Sequence, residues 1–306
     1  MNEPEKLKNL KNVLVTGAKG QLGSEIRELS PSQEFQFEFT DIEELDITSL
    51  EQLEVFFSSR KFDAVINCAA YTAVDQAEKE QKQAELINHK AAESLAVFSR
   101  KHRAPLIHIS TDFVFDGKSF TPYREEDLPH PVSVYGRTKW AGENAVLKEA
   151  EKAVIIRTSW LYSSYGHNFV KTMLKLAKEK DELNVVFDQI GTPTYARDLA
   201  GAVLSILNHK DFVTGIYHYS NEGVASWYDL AQAIVEIAGI DCRINPIETH
   251  QYPTPAKRPA YSLLNKAKIK KTYSLEIPHW RTALKSCLKK TNKKRCRHTR
   301  LPSFFL

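Results

Sequence analysis

Asn12-Val-Leu-Val-Thr16-Gly17-Ala-Lys-Gly20-Gln-Leu-Gly23 decides the fold. A short apolar run stops at Gly17, glycines recur at 20 and 23, and Gln21 to Leu29 then reads as a helix. A strand that turns through glycines into a helix aims backbone N–H groups at the helix start, where the macrodipole favours an anion. The spacing is G-x-x-G-x-x-G rather than the more usual G-x-G-x-x-G, but the strand–loop–helix setting is the one a dinucleotide pyrophosphate needs. Gly17, Gly20 and Gly23 are therefore candidate cofactor-binding positions. The competing reading is a glycine turn with no ligand.

Outward from this unit the rhythm continues. Phe35 to Phe39 alternates apolar and polar residues, and acids follow it. Ser49 to Arg60 has helical periodicity, Ala64 to Asn67 is a buried strand and Gln81 to His102 a long helix. Leu106 to Ser110 reads as strand, Ser133 to Lys148 as helix and Ala153 to Thr158 as strand. Alternation of this kind implies crossover connections and an α/β, Rossmann-type doubly wound parallel sheet. After Trp160 the rhythm loosens. Helices are expected at Asn168 to Lys180, Ala196 to His209 and Ser226 to Gly239, and strands at Leu183 to Phe187 and Gly215 to Tyr219. Prolines from Pro246 to Pro259 argue for an extended segment. The resulting division is a dinucleotide-binding domain at 11–160, with 195–220 returning to it. A smaller substrate-binding lobe takes 161–194 and 221–288, and 289–306 is a basic, disordered tail.

Bulk composition excludes several classes. The chain has 306 residues, 42% hydrophobic and 26% charged, which suits a globular protein of one large domain or two smaller ones. No apolar run approaches a membrane span, and the polar start Met1-Asn-Glu-Pro-Glu-Lys6 lacks a signal-peptide core. Cys68, Cys242, Cys287 and Cys296 follow no metal-ligand spacing and read as reduced thiols of a cytoplasmic protein. The net charge of +4 belongs to the end of the chain: Lys289, Lys290, Lys293, Lys294, Arg295, Arg297 and Arg300 outnumber it, so the remainder is net negative. Neither nucleic acid nor membrane is an expected partner of the body.

The chemistry is concentrated in Tyr135-Gly-Arg-Thr-Lys139. A tyrosine and a lysine four residues apart share one helix face. An ammonium there can lower the phenol's pKa and suit it to proton transfer. Such a pair arises by chance on many helices. It gains meaning from Ser110-Thr111-Asp112 at a strand end, where Thr111 can offer a hydroxyl to a carbonyl, and from the glycine loop. Asp41, just past the second strand, is placed to meet an adenosine ribose, though Glu43, Glu44 and Asp46 compete for that role. Lys19, Arg27 and Lys61 could meet a 2′-phosphate, so both NADPH and NADH fit. Asn67-Cys-Ala-Ala-Tyr71 carries small residues where backbone could approach a cofactor. His108 reads as a strand residue and His167 as a loop residue.

These segments together resemble the extended short-chain dehydrogenase/reductases and, within them, the dTDP-4-dehydrorhamnose reductase family. The match is carried by Val15 to Gly23, Asn67 to Asp75, Ser110 to Gly117, Tyr135 to Lys139, Arg157-Thr-Ser-Trp160, Asp188 to Thr194 and Arg258-Pro259 with Ser262. It runs from about Asn12 to Leu288. The resemblance implies that Gly17, Gln21 and Leu22 lie along the cofactor phosphates and that Asp41, Asp46 and Ile47 surround the adenosine. It places Ala69, Ala70 and Tyr71 along the pyrophosphate and nicotinamide ribose. Thr111, Tyr135 and Lys139 would be catalytic, with Tyr135 and Lys139 also touching cofactor. Thr111, Asp112, Trp160, Gln189 and Arg258 would face a nucleotide-sugar, the arginine because its planar fork can bond two phosphate oxygens. Phe113 stands where the family usually has tyrosine, and Ser133, Tyr261 and Asn265 also depart from its pattern.

The implied activity is NAD(P)H-dependent reduction of the C4 keto group of dTDP-4-dehydro-6-deoxy-L-mannose, giving dTDP-L-rhamnose for surface polysaccharide. That chemistry requires no metal, and it allows a homodimer without requiring one. Two alternatives stand beside it. An NAD-dependent nucleotide-sugar epimerase or dehydratase would retain its cofactor; dehydratases of this superfamily typically place Asp-Glu after the threonine, whereas Asp112-Phe113 follows Thr111 here. A non-catalytic regulatory subunit on the same fold would have no need of Thr111, Tyr135 and Lys139.

Overall fold

The computed structural model describes residues 11–298, with side chains as far as 291. The first half alternates as its pattern dictates. β1 (Lys11–Thr16), α1 (Gln21–Leu29), β2 (Phe35–Phe39), α2 (Leu50–Ser58) and β3 (Ala64–Asn67) come in turn. α3 (Val74–Ala77) and α4 (Gln81–Glu85) follow, and a π turn at Leu86–Lys90 carries α4 into α5 (Ala91–Lys101). Next come β4 (Leu106–Thr111), α6 (Val134–Glu149) and β5 (Ala153–Thr158).

The second half is more broken. It holds β6 (Leu161–Tyr162), α7 (Phe169–Glu179), β7 (Glu182–Val186), β8 (Ile190–Gly191), β9 (Thr194–Tyr195) and α8 (Ala196–Asn208). β10 (Gly215–His218), β11 (Ala225–Ser226), α9 (Trp227–Ala238), β12 (Arg243–Ile247), α10 (Ala267–Tyr273) and α11 (Trp280–His298) complete it.

Six strands form one parallel sheet in the order β10-β5-β4-β3-β1-β2. Successive strand residues face opposite sides, so Val13 and Val15 pack with Leu22, Ile26, Leu199 and Val203 of α1 and α8. Leu14 packs on the other side with Leu53, Phe57 and Leu95 of α2 and α5. Both faces are covered, as a parallel sheet requires. β10 completes the sheet edge by pairing with β5 from Gly215↔Val154 to His218↔Arg157.

A separate apolar core holds the smaller lobe, with Val170, Leu174, Leu183, Val185, Leu230, Ile234, Ile244 and Leu284. α9 shows why its sequence stops where it does. Ser226 and Asp229 close a capping box at its start, and Gly239 takes the left-handed conformation (φ +63°) at its end. Among the described residues no helix is long and apolar enough to cross a membrane.

Three expectations need correction. The proline-rich stretch is not wholly irregular, because Pro246 lies in β12, paired only to β7, and an edge strand can accommodate a residue with no N–H to give. α10 leaves the lobe: Ile269 and Tyr273 join the core of the main sheet. The third concerns the tail. α11 runs through Leu288 to His298, so 289–298 is helical rather than disordered. The physical reason lies in Glu25 of α1, whose side chain is 0% exposed. Lys290 Nζ reaches it at 2.6 Å, Ser163 Oγ donates to it at 2.6 Å, and Arg197 lies at 3.5 Å. A buried carboxylate needs such partners, and α11 supplies one of them. Residues 299–306, including the apolar Phe304-Phe305-Leu306, lie outside the described residues.

Candidate active site

The strand order turns back at β1, which has β2 on one side and β3 on the other, and ligands of open α/β sheets bind at such a point. A cavity of about 950 Å³ opens there, at the carboxyl ends of β1, β3 and β4. Fifteen of the eighteen expected site residues line it. Gly17, Gly20, Gln21, Leu22, Asp41, Asp46, Ile47, Ala69 and Ala70 line the part next to the glycine loop. Thr111, Asp112, Tyr135, Lys139, Trp160 and Arg258 line the other part. Gly23, Tyr71 and Gln189 are not on the wall.

The glycine loop passes close to the next strand end. Gly17 has φ +64°, and a Cβ there would lie 2.6 Å from the Ala69 nitrogen. Gly23 is buried against Gly17 and Ala18 and serves packing. α1 starts with no side-chain cap and no acid in its first turn, so its leading N–H groups await an outside acceptor. Close backbone approach with free donors fits a dinucleotide pyrophosphate. At the end of the cavity beyond β2, Asp41 accepts the N–H groups of Lys19 (2.8 Å) and Ile42 (3.0 Å). The Lys19 ammonium is drawn onto Glu43 (2.5 Å) and Glu44 (3.6 Å). Asp46 is held by Thr48 through N–H and hydroxyl.

The catalytic candidates converge because α6 is seated on the turn after β4. Ser133 caps α6 by accepting the Gly136 N–H at 3.1 Å. A Cβ on Gly136 would lie 2.2 Å from the Phe113 carbonyl oxygen, so only glycine permits this approach. Tyr135 is thereby brought edge-on to Phe113, with ring centres 5.5 Å apart, beside Thr111. One turn on, Lys139 is 2% exposed and donates to the Ile109 carbonyl at 2.6 Å. Thr111 Oγ1 donates to Asp112 Oδ1 at 3.0 Å and accepts the Phe113 N–H at 3.2 Å.

The electrostatics correct one expectation. The Tyr135 phenol is not lowered by Lys139. Burial pushes it up to about 12, a hydrogen bond with Thr111 opposes the shift, and the Asp112 charge adds to it. Lys139 turns its ammonium to the Ile109 carbonyl, and desolvation outweighs proximity. Burial lowers Lys139 itself to about 8, against the pull of Glu143 and Cys68. Asp112 is raised to about 6, chiefly by burial. A phenol protonated throughout the neutral range is a proton donor, not a base. His108 is buried against Asn67 and kept neutral by desolvation.

The roof comes from distant segments. Trp160, with φ +47°, stacks on Trp227 at 3.7 Å between ring centres and 8° between planes. Gln189 accepts the Trp227 indole N–H at 3.2 Å and donates to Thr249 at 3.1 Å, so it supports the stack rather than facing the cavity. Tyr71 gives its hydroxyl to Glu80 at 2.6 Å and its N–H to Asn88 at 2.9 Å. Arg258 reaches the wall already paired: its two terminal nitrogens meet the Asp75 carboxylate at 3.0 and 2.8 Å. Arg258 in turn holds Asp75 below the usual carboxylate range.

Sequence reasoning missed Trp227, Asp75 and Glu143. Two of them left a signal: Glu143 follows Lys139 by four residues and Tyr135 by eight, on the same helix face, and Asp75 closes the Asn67–Asp75 segment that carries the family resemblance. Among the described residues no group of three or more His, Cys, Asp or Glu side chains is placed to hold a metal ion.

Comparison with known proteins gives a consistent picture. Residues 11–293 match the family model described as the RmlD substrate binding domain. The chain is 41% identical over 285 residues to a dTDP-4-dehydrorhamnose reductase of Aggregatibacter actinomycetemcomitans, covering 90% of this chain and 97% of that one. It is 43% identical over 276 residues to the spore coat polysaccharide biosynthesis protein SpsK of Bacillus subtilis, covering 90% and 96%. The structure of dTDP-4-dehydrorhamnose reductase from Bacillus anthracis in complex with NADP superposes with a TM-score of 0.89 at 39% identity, over 92% of this chain and 99% of that one.

Proposed function

The chain belongs to the RmlD family of dTDP-4-dehydrorhamnose reductase-like, NAD(P)-dependent oxidoreductases, and from that premise we propose that it reduces the C4 carbonyl of dTDP-4-dehydro-6-deoxy-L-mannose to give dTDP-L-rhamnose. We place the reaction in the cytoplasm, as a step in making a precursor of surface polysaccharide. The observation that carries the reading is the meeting of Thr111, Tyr135 and Lys139 at the strand ends, beside a backbone cradle that fits a pyrophosphate.

The dinucleotide, NADPH or NADH, supplies the hydride when bound. Gly17, Gly20, Gln21 and Leu22 would hold its phosphates, Asp41, Asp46 and Ile47 its adenosine half, and Ala69 and Ala70 the stretch toward the nicotinamide. The protein's own work is at the sugar's C4 oxygen. Thr111 donates a hydrogen bond to that oxygen, so charge is stabilised where it develops. Tyr135 gives its phenolic proton to the same atom, for which a protonated phenol is the competent form. The negative charge then left on Tyr135 would be offset by Lys139, one helical turn away. Asp112 and Trp160 would position the sugar, Gln189 acts through Trp227, and Arg258 would take the diphosphate in exchange for Asp75.

The test is turnover of dTDP-4-keto-6-deoxy sugar, followed by NAD(P)H absorbance and NMR of the product. A reductase consumes one NAD(P)H per sugar. Conversion of sugar with no net consumption would make the chain an epimerase or dehydratase. Cofactor binding with no conversion of any dTDP-4-keto sugar would make it a binding subunit.

A further inference from the structure

Beneath the catalytic helix lies a charge cluster that the reaction as described does not use. Glu143 is 1% exposed and Arg157, on β5, is likewise 1% exposed. Arg157 Nε and Nη2 donate to the two Glu143 oxygens at 2.9 and 2.7 Å. Ser110 Oγ donates to the same carboxylate at 2.5 Å. Ser110 immediately follows Ile109, whose carbonyl binds Lys139, and immediately precedes Thr111. Two successive turns of α6 therefore grip two successive residues of β4, Lys139 on Ile109 and Glu143 on Ser110.

A buried ammonium needs an anion nearby to keep its proton. The groups facing Lys139 can be taken element by element. Its own helix presents Tyr135 and Glu143. Cys68, past the end of β3, is a thiol pushed up to about 12 by burial. His108 of β4 is neutral. Arg157 of β5 is a cation and faces Glu143. Asp112 bears on Tyr135. Among the described residues, Glu143 is thus the anion that acts on Lys139, and Glu143 is itself held in place by Arg157 and Ser110.

We propose that Glu143 is a positioning residue of this active site, which keeps Lys139 as an ammonium against β4 and acts on the chemistry only through it. Arg157 and Ser110 fix the carboxylate so that it cannot swing onto the lysine and draw it away from the Ile109 carbonyl. The proposal builds on the reductase reading for its kinetic consequence, while the state of Lys139 can be read without any substrate.

The experiment titrates Lys139 by NMR of the full-length protein with ¹³C-labelled lysine, the signal assigned with Lys139→Arg. The same pH range is then covered by kcat/KM for the dTDP-4-keto sugar. In the native protein the Lys139 midpoint is expected near 8. Glu143→Gln, close in shape but uncharged, should lower it by about one unit or more, the usual size of a lost opposite charge. The alkaline limb of kcat/KM should move with it. Glu143→Asp keeps the charge and should hold both near the native position even where kcat falls. A folded Glu143→Gln with an unmoved Lys139 midpoint overturns the proposal. If Glu143→Gln does not fold, Ser110→Ala decides. It keeps the ion pair but removes a donor from the carboxylate, so the midpoint should rise by a few tenths of a unit. A midpoint that stays or falls in that variant overturns the proposal equally. Should the lysine titrate as expected while no dTDP-4-keto sugar is turned over, the substrate assignment fails and the role of Glu143 stands.

Discussion

Arg157 meets Glu143 and Arg258 meets Asp75 each through two guanidinium nitrogens on two carboxylate oxygens, Nε and Nη2 in the first pair and Nη1 and Nη2 in the second. The distances are 2.9 and 2.7 Å in one pair and 3.0 and 2.8 Å in the other. Their surroundings differ. The first pair has side-chain exposures of 2% and 1%, the second 26% and 40%. Removing one partner of a buried pair strands a charge without water and costs about 3–5 kcal/mol, whereas exposed pairs are worth about 0–1 kcal/mol. Arg157 therefore cannot leave Glu143, and Arg258 can trade Asp75 for a stronger anion at little expense. One pair is buried beneath α6, and the other lies at the cavity wall, where on the proposed reading it would act as a latch. Bond lengths alone would not have separated them.

The contrast can be broken at four places. The largest effect is expected on the dry side, on the helix that carries Glu143. Tyr135→Phe should leave dinucleotide affinity nearly intact and cut kcat by roughly 10²–10⁴-fold, the usual cost of a lost general acid. Turnover within a few-fold of native would remove Tyr135 from the chemistry. Next comes the buried pair itself. Glu143→Ala should lose about 3–5 kcal/mol in urea unfolding. A loss under about 1 kcal/mol would place this pair in the same class as the exposed one.

Asp112 tests the dry side from the opposite direction, since it is a carboxylate whose burial outweighs its hydrogen bonds with Thr111 and Ser262. Its folded pKa of about 6 lies above the ordinary value near 3.8. The folded state thus binds more protons between those values, and stability must fall as pH rises from about 4 to about 6. Above pH 6 the penalty is complete, at most about 3 kcal/mol. Asp112→Asn should consequently be more stable than the native protein at pH 7.5, by about 1–3 kcal/mol, and equal to it near pH 4. Equal stability at both pH values would show that Asp112 is better solvated than its burial indicates.

The smallest stability effect belongs to the latch. Arg258→Ala should change unfolding free energy by less than about 1 kcal/mol. Its effect should fall on KM for the dTDP-sugar and less on kcat, because a diphosphate contact is made equally in ground and transition states. A KM that does not move would mean that Arg258 never leaves Asp75.

The two sides also differ in how far the sequence revealed them. The floor was legible because its residues follow strand ends directly. Thr111 ends β4, Ala69 follows β3 and Gly17 follows β1, so a strand pattern with small or polar residues behind it marks the site. Spacing placed Tyr135 above Lys139 but could not tell that burial would outweigh the neighbouring charge. The roof was legible only through family resemblance, and incompletely. Trp227, Gln189 and Thr249 meet from three separate segments, and nothing in their local pattern announces the meeting. α10 went unseen because Ala-Lys-Ile-Lys-Lys-Thr-Tyr buries only Ile269 and Tyr273, too few for a helical period to show. The boundary after Leu288 failed for a related reason. A basic run reads as solvated until its anion is found, and Glu25 lies 265 positions away.

That separation sets an order of events during synthesis. The helix that would receive the dinucleotide phosphates leaves the ribosome well ahead of the partners of its Glu25, whose side chain points into what becomes the interior. Ser163 and Arg197 follow it by 138 and 172 residues, and Lys290 by 265. Domains of this kind begin to organise as they emerge, at roughly 5–20 residues per second. A nascent chain therefore carries a carboxylate short of its last partner until residue 290 has emerged. Stalled chains ending before residue 290 should be open to proteolysis around α1, and chains extended well beyond it should be closed.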